Sequence, residues 1–383
     1  MNKEPIYLDY AAATPLDTQV FKVMEPYFVR YFYNPSANYQ PSRQVHQAIE
    51  VARSNVAEIL GSRPAELVFT SGATESNNLA IKGVHDAFPK GEIITSAIEH
   101  ESLQVPAEKA GAKQVSVDKY GIINLQELAS KINGKTVLLS VMLVNNEIGS
   151  VQPLREIAVL VNIERKKRLK AGDKTPIYLH TDATQAANFF DLHVSRLGVD
   201  LMSLNSGKIY GPKQTGLLYV RAGVVIASQI LGGGQEFGQR SGTQNTAGII
   251  GFSKALQIAQ QVRAEEVRRL KQLQSEFEEG LERINSTIFI NGGRNRTPHI
   301  VSATFPGQDN ERLMIELDER GIVAAVGSAC SASSEEASHV LKAIGLSDDD
   351  ARSTLRFSMG RQTAKKHIQR TLQVLANLIE PSR

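Results

Sequence analysis

Ile177-Tyr178-Leu179-His180-Thr181-Asp182-Ala183-Thr184-Gln185 is the stretch that decides the fold class. It opens on an apolar, β-prone run and closes on small and polar residues. A strand that is apolar almost throughout belongs inside a sheet covered on both faces. In sheets of that kind ligands bind outside the carboxyl ends of the strands. Asp182 stands at such an end, and by itself it reads equally as a helix cap or as a carboxylate facing a ligand.

Outward from this strand the same pattern recurs. Candidate strands are 66–70, 92–95, 136–144, 177–181, 201–204 and 216–220, with helical patterns such as 154–169 between them. Such alternation predicts an α/β domain with a mainly parallel sheet. From about residue 262 the character changes. The segment 264–284 carries Val267, Leu270, Leu273, Phe277 and Leu281 at spacings of three and four, as an amphipathic helix does. Short strands are expected near 288–290, 299–305 and 321–325, then a helix, a strand near 355–358 and a final helix after Thr363. A chain of 383 residues exceeds what one hydrophobic core usually serves. The expectation is a large α/β domain over 17–261 and a smaller α+β domain built from 1–16 with 262–383.

The bulk properties narrow the function classes. Hydrophobic residues make up 42% and charged residues 22%, ordinary for a globular protein. Net charge is +3 with acids and bases well mixed, so no nucleic-acid partner is expected. The run Arg165-Lys166-Lys167-Arg168 reads as a solvated helix face. No apolar run approaches the ~18 residues needed to span a bilayer, so no membrane association is expected. Met1-Asn2-Lys3-Glu4-Pro5 lacks the apolar segment of a secretion signal. A single cysteine, Cys330, excludes an internal disulfide and any all-cysteine metal site. A reducing, cytoplasmic setting is the expectation.

Three further patterns join the one around Asp182. Ser71-Gly72-Ala73-Thr74-Glu75-Ser76-Asn77-Asn78 follows a strand and opens a helix. Small residues admit a ligand close to the backbone, and a helix N-terminus offers free N–H groups to a phosphate; a helix cap by Thr74 is the plainer alternative. Asn205-Ser206-Gly207-Lys208-Ile209-Tyr210-Gly211-Pro212-Lys213 sets a lysine among turn-forming residues at a strand end. That suits a Schiff-base lysine better than a packed one. A Walker-type loop is excluded, because Lys208 lacks the upstream glycine and the following Ser/Thr. Gly327-Ser328-Ala329-Cys330-Ser331-Ala332-Ser333-Ser334 places the lone cysteine in a run that reads as a loop, where a thiol is a liability unless it is used. A carboxylate at position 182 can also pair with a protonated pyridine nitrogen and keep the ring an electron sink.

Together these residues resemble the cysteine desulfurases of class V aminotransferase type, the branch serving iron–sulfur assembly and nitrogenase maturation. The resemblance runs nearly end to end, from Tyr7-Leu8-Asp9-Tyr10-Ala11-Ala12-Ala13-Thr14 to Leu355-Arg356-Phe357-Ser358. It includes Ile98-Glu99-His100, Val144-Asn145-Asn146-Glu147-Ile148-Gly149, Gly232-Gly233-Gly234-Gln235-Glu236 and Arg240-Ser241-Gly242-Thr243. The stretch 329–336 is similar to the long-loop group. The resemblance implies the fold type I of pyridoxal-phosphate-dependent transferases, a pyridoxal 5'-phosphate cofactor and a homodimer. It implies L-cysteine as substrate and a sulfur-acceptor protein, a scaffold or a thiolation enzyme, as partner.

Residue by residue, the resemblance makes Lys208 the lysine that holds the cofactor and moves protons between it and the substrate carbon. His100 would stack on the pyridine ring and serve in acid–base steps. Asp182 would pair with the ring nitrogen and Gln185 with the ring hydroxyl oxygen. Asn146 would sit by that oxygen or by the substrate carboxylate. Ala73, Thr74, Asn205 and Ser206 would hold the phosphate, and Thr243 would reach the phosphate of the neighbouring subunit. Arg356 would clamp the substrate carboxylate, for which a bidentate guanidinium is suited. The Cys330 thiolate would attack the substrate sulfur, alanine would leave, and a persulfide would remain on Cys330. No resident metal is implied, although Cys330 is a candidate transient ligand of a transferred cluster. The sequence departs from the family pattern at Gly207, where a histidine is usual, at Asn205-Ser206, where Ser-Gly is usual, at Tyr39, which replaces a histidine, and at Gln214, which replaces a glycine. A selenocysteine lyase, a cysteine sulfinate desulfinase and an ordinary aminotransferase share the fold; the presence of Cys330 favours the desulfurase. A non-catalytic adaptor is disfavoured by the presence of both Lys208 and Cys330.

Overall fold

The structure is a computed structural model that describes residues 4–327 and 337–379. Cys330 and the expected loop 329–336 lie outside the described residues. In chain order the described strands are β1 (Ile6–Tyr7), β2 (Leu67–Thr70), β3 (Glu92–Ser96), β4 (Lys113–Val115), β5 (Thr136–Ser140), β6 (Tyr178–Asp182), β7 (Leu201–Asn205), β8 (Gly216–Val220), β9 (Phe289–Ile290), β10 (Ile300–Thr304), β11 (Ile322–Val323) and β12 (Thr354–Ser358).

Seven of them form one sheet in the order β2-β8-β7-β6-β5-β3-β4. Only β8 runs against its neighbours; every other pairing is parallel. Both faces are covered, and the residues show it by alternation. Leu67 and Phe69 of β2, Ile94 of β3, Leu179 of β6, Met202 and Leu204 of β7, and Leu217 and Tyr219 of β8 enter one core. Their chain neighbours Val68, Ile93, Tyr178, Leu201, Leu218 and Val220 enter another. The first core is closed by helices Gln40–Leu60, Leu154–Lys170 and the first part of Thr246–Ile284, the second by Ala73–Ala87 and Glu101–Lys109. A period of two with both faces buried leaves no polar alternation along a strand.

Helix Thr246–Ile284 is 39 residues long and starts well before the expected 264. Its first part is buried on several sides, from Ala247 to Ala259, so it lacks the one-sided periodicity that marks the exposed second part. Leu270, Leu273, Phe277 and Leu281 then enter a separate core with Leu8, Phe305, Leu355, Phe357 and Leu375. There β12-β10-β9 form an antiparallel sheet, and β1 pairs in parallel with β11.

Strand β5 stops at Ser140, short of the expected 144. The cause lies just ahead: Asn145 Oδ1 accepts the amides of Glu147 (2.8 Å) and Ile148 (3.0 Å), and Val144 bridges back to Val151. The chain therefore turns, and places Met142, Val144 and Asn146 at the sheet's carboxyl edge. Because β2, β3, β5, β6 and β7 point the same way, the segments leaving Thr70, Ser96, Ser140, Asp182 and Asn205 meet at that edge.

Candidate active site

A cavity of about 220 Å³ opens there, lined by Ala11, Ala12, Ala73, Thr74, His100, Asn146, Asp182, Thr184, Gln185, Asn205, Lys208 and Arg356 among others. Nine residues singled out from the sequence thus share one cavity, although they are drawn from six separate stretches of chain.

One end is built for an anion. Helix Ala73–Ala87 has Gly72 as its N-cap and no side-chain cap, so Thr74 is not the cap that the plainer reading proposed. The first backbone bond closing the helix runs from Ser76 N–H to Gly72 C=O. The amides of Ala73 and Thr74 are left open by helix geometry, at the positive end of the dipole. β8 presses against this turn: a Cβ built on Gly216 would lie 2.5 Å from the Gly72 carbonyl carbon, so only glycine fits there.

Asp182 is held rather than free to turn. Asn77 Nδ2 donates to Oδ2 (2.8 Å) and the Thr184 amide donates to Oδ1 (2.9 Å). Asn77 also donates to Ser102 Oγ at 2.9 Å, which ties the two helices on that face to the carboxylate. Beneath it His180 is fully buried between Ser140 Oγ (2.7 Å) and Ser203 Oγ (2.9 Å). Burial pushes His180 down to about 4, so it sits neutral below Asp182.

His100 is both a helix cap and a cavity residue. Its Nδ1 accepts the Ser102 amide at 3.1 Å, at the N-cap of helix Glu101–Lys109. An accepting Nδ1 leaves Nε2 to carry the proton of the neutral ring. Lys208 ends the short 3-10 turn Ser206–Lys208 after β7. Its Nζ donates to Ala11 C=O (2.9 Å) and to Ala12 C=O. The turn is clamped as well by Thr14, whose amide (3.2 Å) and hydroxyl (3.1 Å) donate to Gly207 C=O, and by Asn188 Nδ2, which donates to Lys208 C=O at 2.7 Å.

Ser206 requires a correction. It does not line the cavity: its buried hydroxyl lies against Gly211, where an added Cβ would sit 2.1 Å from it. Ser206 opens the 3-10 turn that follows Asn205, and that turn leaves it out of the cavity lining to which Asn205 belongs. Gly207 leaves room: a Cβ there would meet nothing closer than Asn205 Oδ1 at 3.4 Å, an ordinary contact. Thr243 is exposed and lies outside the cavity of its own chain.

At the other end Arg356, only 3% exposed, donates to Asp9 Oδ1 (2.7 Å) and to Asn146 C=O (3.0 Å), while its Nε is buried without a partner among the described residues. Gln185 is fixed at both ends: its Nε2 donates to Ala11 C=O (3.0 Å), and its Oε1 lies 3.2 Å from His299 Nε2. His299 is stacked on Phe189 with ring centroids 4.2 Å apart, and burial pushes it down to about 3, so the neutral ring donates to Gln185. Glu99, next to His100, is fully buried and pushed up to about 8 by burial, with Ser96 Oγ and the Met142 amide (3.0 Å) donating to it. Asn77, Glu99, Ser102, His299 and Asp9 therefore support the site without having been assigned to it from sequence.

The residues present fit pyridoxal phosphate. The uncapped helix suits its phosphate, the anchored Asp182 suits its ring nitrogen, and Lys208 lies between them in the same cavity. The buried Thr184 Oγ1, unpartnered among the described residues, lines that cavity too.

A mainly parallel seven-stranded sheet with this lysine and aspartate at its carboxyl edge defines a fold type I pyridoxal-phosphate-dependent enzyme. The chain belongs to the aminotransferase class-V family, whose profile matches residues 6–371. It is 40% identical over 389 aligned positions to the "Cysteine desulfurase IscS" of Dictyoglomus turgidum, covering 100% of this chain and 96% of that one. Among solved structures it is similar to a "NifS-like protein" (TM-score 0.89, 30% identity, 98% of this chain and 99% of that one). It is also similar to "SspA in complex with cysteine" (TM-score 0.78, 35% identity, 92% and 98%).

Proposed function

We propose that this chain is a cysteine desulfurase that takes sulfur from L-cysteine onto Cys330 and releases L-alanine. The observation that carries the reading is one cavity holding Asp182, Lys208, His100 and Arg356, with the Cys330 segment rooted at its rim. Gly327, the last described residue before that segment, has its Cβ direction 3.6 Å from Glu147 Oε2, and Ser338 beyond it donates to the same oxygen at 2.5 Å. Glu147 is the chain neighbour of Asn146 in the cavity. Cys330 is three positions on from Gly327, a reach of at most ~11 Å.

When bound, pyridoxal phosphate supplies an electron sink for the pair left as the substrate loses its α-proton. The chain's residues do the rest. The amides of Ala73 and Thr74, with Asn205, would hold the phosphate; Asp182 would keep the ring nitrogen protonated; Gln185 and Asn146 would bind the ring oxygen. Arg356 binds the substrate carboxylate, its guanidinium pre-set by Asp9 and Asn146. Lys208 would hold the cofactor and would carry the proton taken from the α-carbon. His100 would lie against the ring and present Nε2–H to the substrate. The Cys330 thiolate attacks the substrate sulfur: an S–S bond forms, the C–S bond breaks, and the carbon is protonated to give alanine.

The same reading extends to a homodimer in which Thr243 completes the partner's phosphate site, to a cytoplasmic location, and to a sulfur-acceptor protein in iron–sulfur assembly or thiolation. It extends also to two domains, 17–261 and 1–16 with 262–383, whose proposed boundary falls within helix Thr246–Ile284 where the buried residues pass from one core to the next. No helix of the described residues is long and apolar enough to cross a membrane.

The test is the visible spectrum together with alanine and sulfide release from L-cysteine plus a reductant, for the wild type, Lys208→Ala and Cys330→Ala. The reading expects the cofactor band to vanish only in the lysine variant and turnover to vanish in both. Full sulfide release by Cys330→Ala would replace it with a lyase reading.

A further inference from the structure

The mechanism above leaves one polar contact at the cavity rim unused. Helix His339–Ala343 follows the segment that carries Cys330. Val340, Leu341 and Ile344 pack it against Ile98, Met142 and Ile148, all buried, and Met142 is itself part of the cavity wall. Apolar packing alone fixes such a short helix loosely, since sliding costs little where one aliphatic surface meets another. Two polar bonds pin it. Ser338 caps the helix through the Val340 and Leu341 amides and gives its own proton to Glu147. His339 Nε2 lies 3.0 Å from the backbone carbonyl of Glu99. A carbonyl only accepts, so the imidazole donates here.

The position of that carbonyl matters. Glu99 precedes His100, and its side chain is locked inside by Ser96 and the Met142 amide. His100 is locked in turn by Ser102. The Glu99 backbone is therefore a rigid post, one residue from the group that faces the substrate, and the imidazole of His339 is tied to it.

We propose that His339 is a positioning residue for sulfur transfer, its bond to the Glu99 carbonyl fixing the C-terminal root of the Cys330 segment relative to His100. The inference rests on Cys330 being the sulfur-accepting thiol. It assigns His339 no part in binding cofactor or substrate. Its effect falls on the step in which the Cys330 sulfur reaches the substrate sulfur, where small misplacements are costly.

The test compares His339→Phe and His339→Gln with the wild-type holoenzyme. In His339→Phe, kcat for alanine release is expected to fall about tenfold, while the KM for L-cysteine stays within about twofold and the cofactor band and melting temperature are unchanged. His339→Gln keeps a donor at a similar reach and is expected to recover most of the loss. Cys330 is the sole thiol. Its labelling by a maleimide in the cofactor-free chain is therefore expected to speed up in His339→Phe and to return towards wild type in His339→Gln. Wild-type kcat in His339→Phe, or a parallel collapse of KM and cofactor band, overturns the proposal. So does a loss in His339→Gln as deep as in His339→Phe. An inactive wild type that shows a normal cofactor band sinks instead the desulfurase reading beneath it.

Discussion

At the scale of single residues, the site depends on side chains that hold other side chains. Asp182 is oriented by Asn77, more than a hundred positions earlier in the chain. Hydrogen bonds to charged groups contribute about 1.5–3 kcal/mol, so Asn77→Ala is expected to weaken cofactor binding by roughly 10- to 100-fold, read by titrating the apoprotein with pyridoxal phosphate and following absorbance. Glu99 offers a pH signature. Its carboxyl is pushed from 4.5 to about 8 by burial, so the folded chain keeps a proton that the unfolded chain has released. Its stabilising contribution is complete below about pH 4.5 and is lost as pH rises through about 8. Glu99→Gln cannot ionise, so its melting temperature should gain on the wild type between about pH 4.5 and about pH 8 and level off above, and a constant difference across that range would refute the shift. Lys208 and Asp182 were legible in the sequence because each sits at a strand end in a short run of unusual composition, whereas His100 was reached only through the family resemblance. Asn77, in the middle of a helix, and His299, some 90 residues from Lys208, give no local signal, since their partners are set only by the closed fold. Ser206 shows the opposite limit: its surroundings in the sequence suggested a ligand, and the 3-10 turn that it opens sets its hydroxyl against Gly211 instead.

At the scale of elements, a buried ion pair fixes the turn at 236–237, and a close backbone approach fixes the turn at Gly72 beside the cavity. Arg53, 1% exposed, pairs with Glu236 at 2.8 and 2.9 Å, and Glu236 also accepts the Phe69 amide at 2.9 Å. Glu236 and Phe237 both have left-handed backbones (φ 47° and 58°), a strain that the pair holds in place. Arg53→Ala leaves Glu236 buried without its counter-charge and is expected to cost about 3–5 kcal/mol, measured by denaturant unfolding. Gly216→Val drives its side chain into the Gly72 turn; cofactor affinity should fall with little change in the pairing of β8, read by absorbance titration and circular dichroism. The sheet was legible because strands buried on both faces read as unbroken apolar runs. β4 was not: two of its three residues are exposed, and nothing in Lys113-Gln114-Val115 separates a short edge strand from a loop. The first part of helix Thr246–Ile284 was hidden for the reverse reason, burial on too many sides.

At the scale of the whole molecule, the cavity joins two cores. Lys208 and Asp182 stand on the large sheet, whereas Arg356 comes from β12, whose Leu355 and Phe357 belong to the core that the far part of the long helix serves. The N-terminal segment crosses between them, with Leu8 in the second core and Ala11 and Ala12 in the cavity wall. A proline inside a helix costs about 3 kcal/mol and kinks it, so Ala264→Pro, set between the two buried stretches of helix Thr246–Ile284, should raise the KM for cysteine more than it weakens cofactor binding. Equal losses in both would mean that the two cores do not move separately.

Sulfur passes directly from L-cysteine to Cys330, in a reaction that needs Lys208 to hold the cofactor and to move the proton of the α-carbon. The most direct test of that transfer is the intact mass of the holoenzyme after mixing with L-cysteine without reductant. One added sulfur atom is expected, localised to Cys330, absent in Cys330→Ser and in Lys208→Ala and accompanied by one alanine per sulfur. Alanine formed with no mass gain on Cys330 would contradict it.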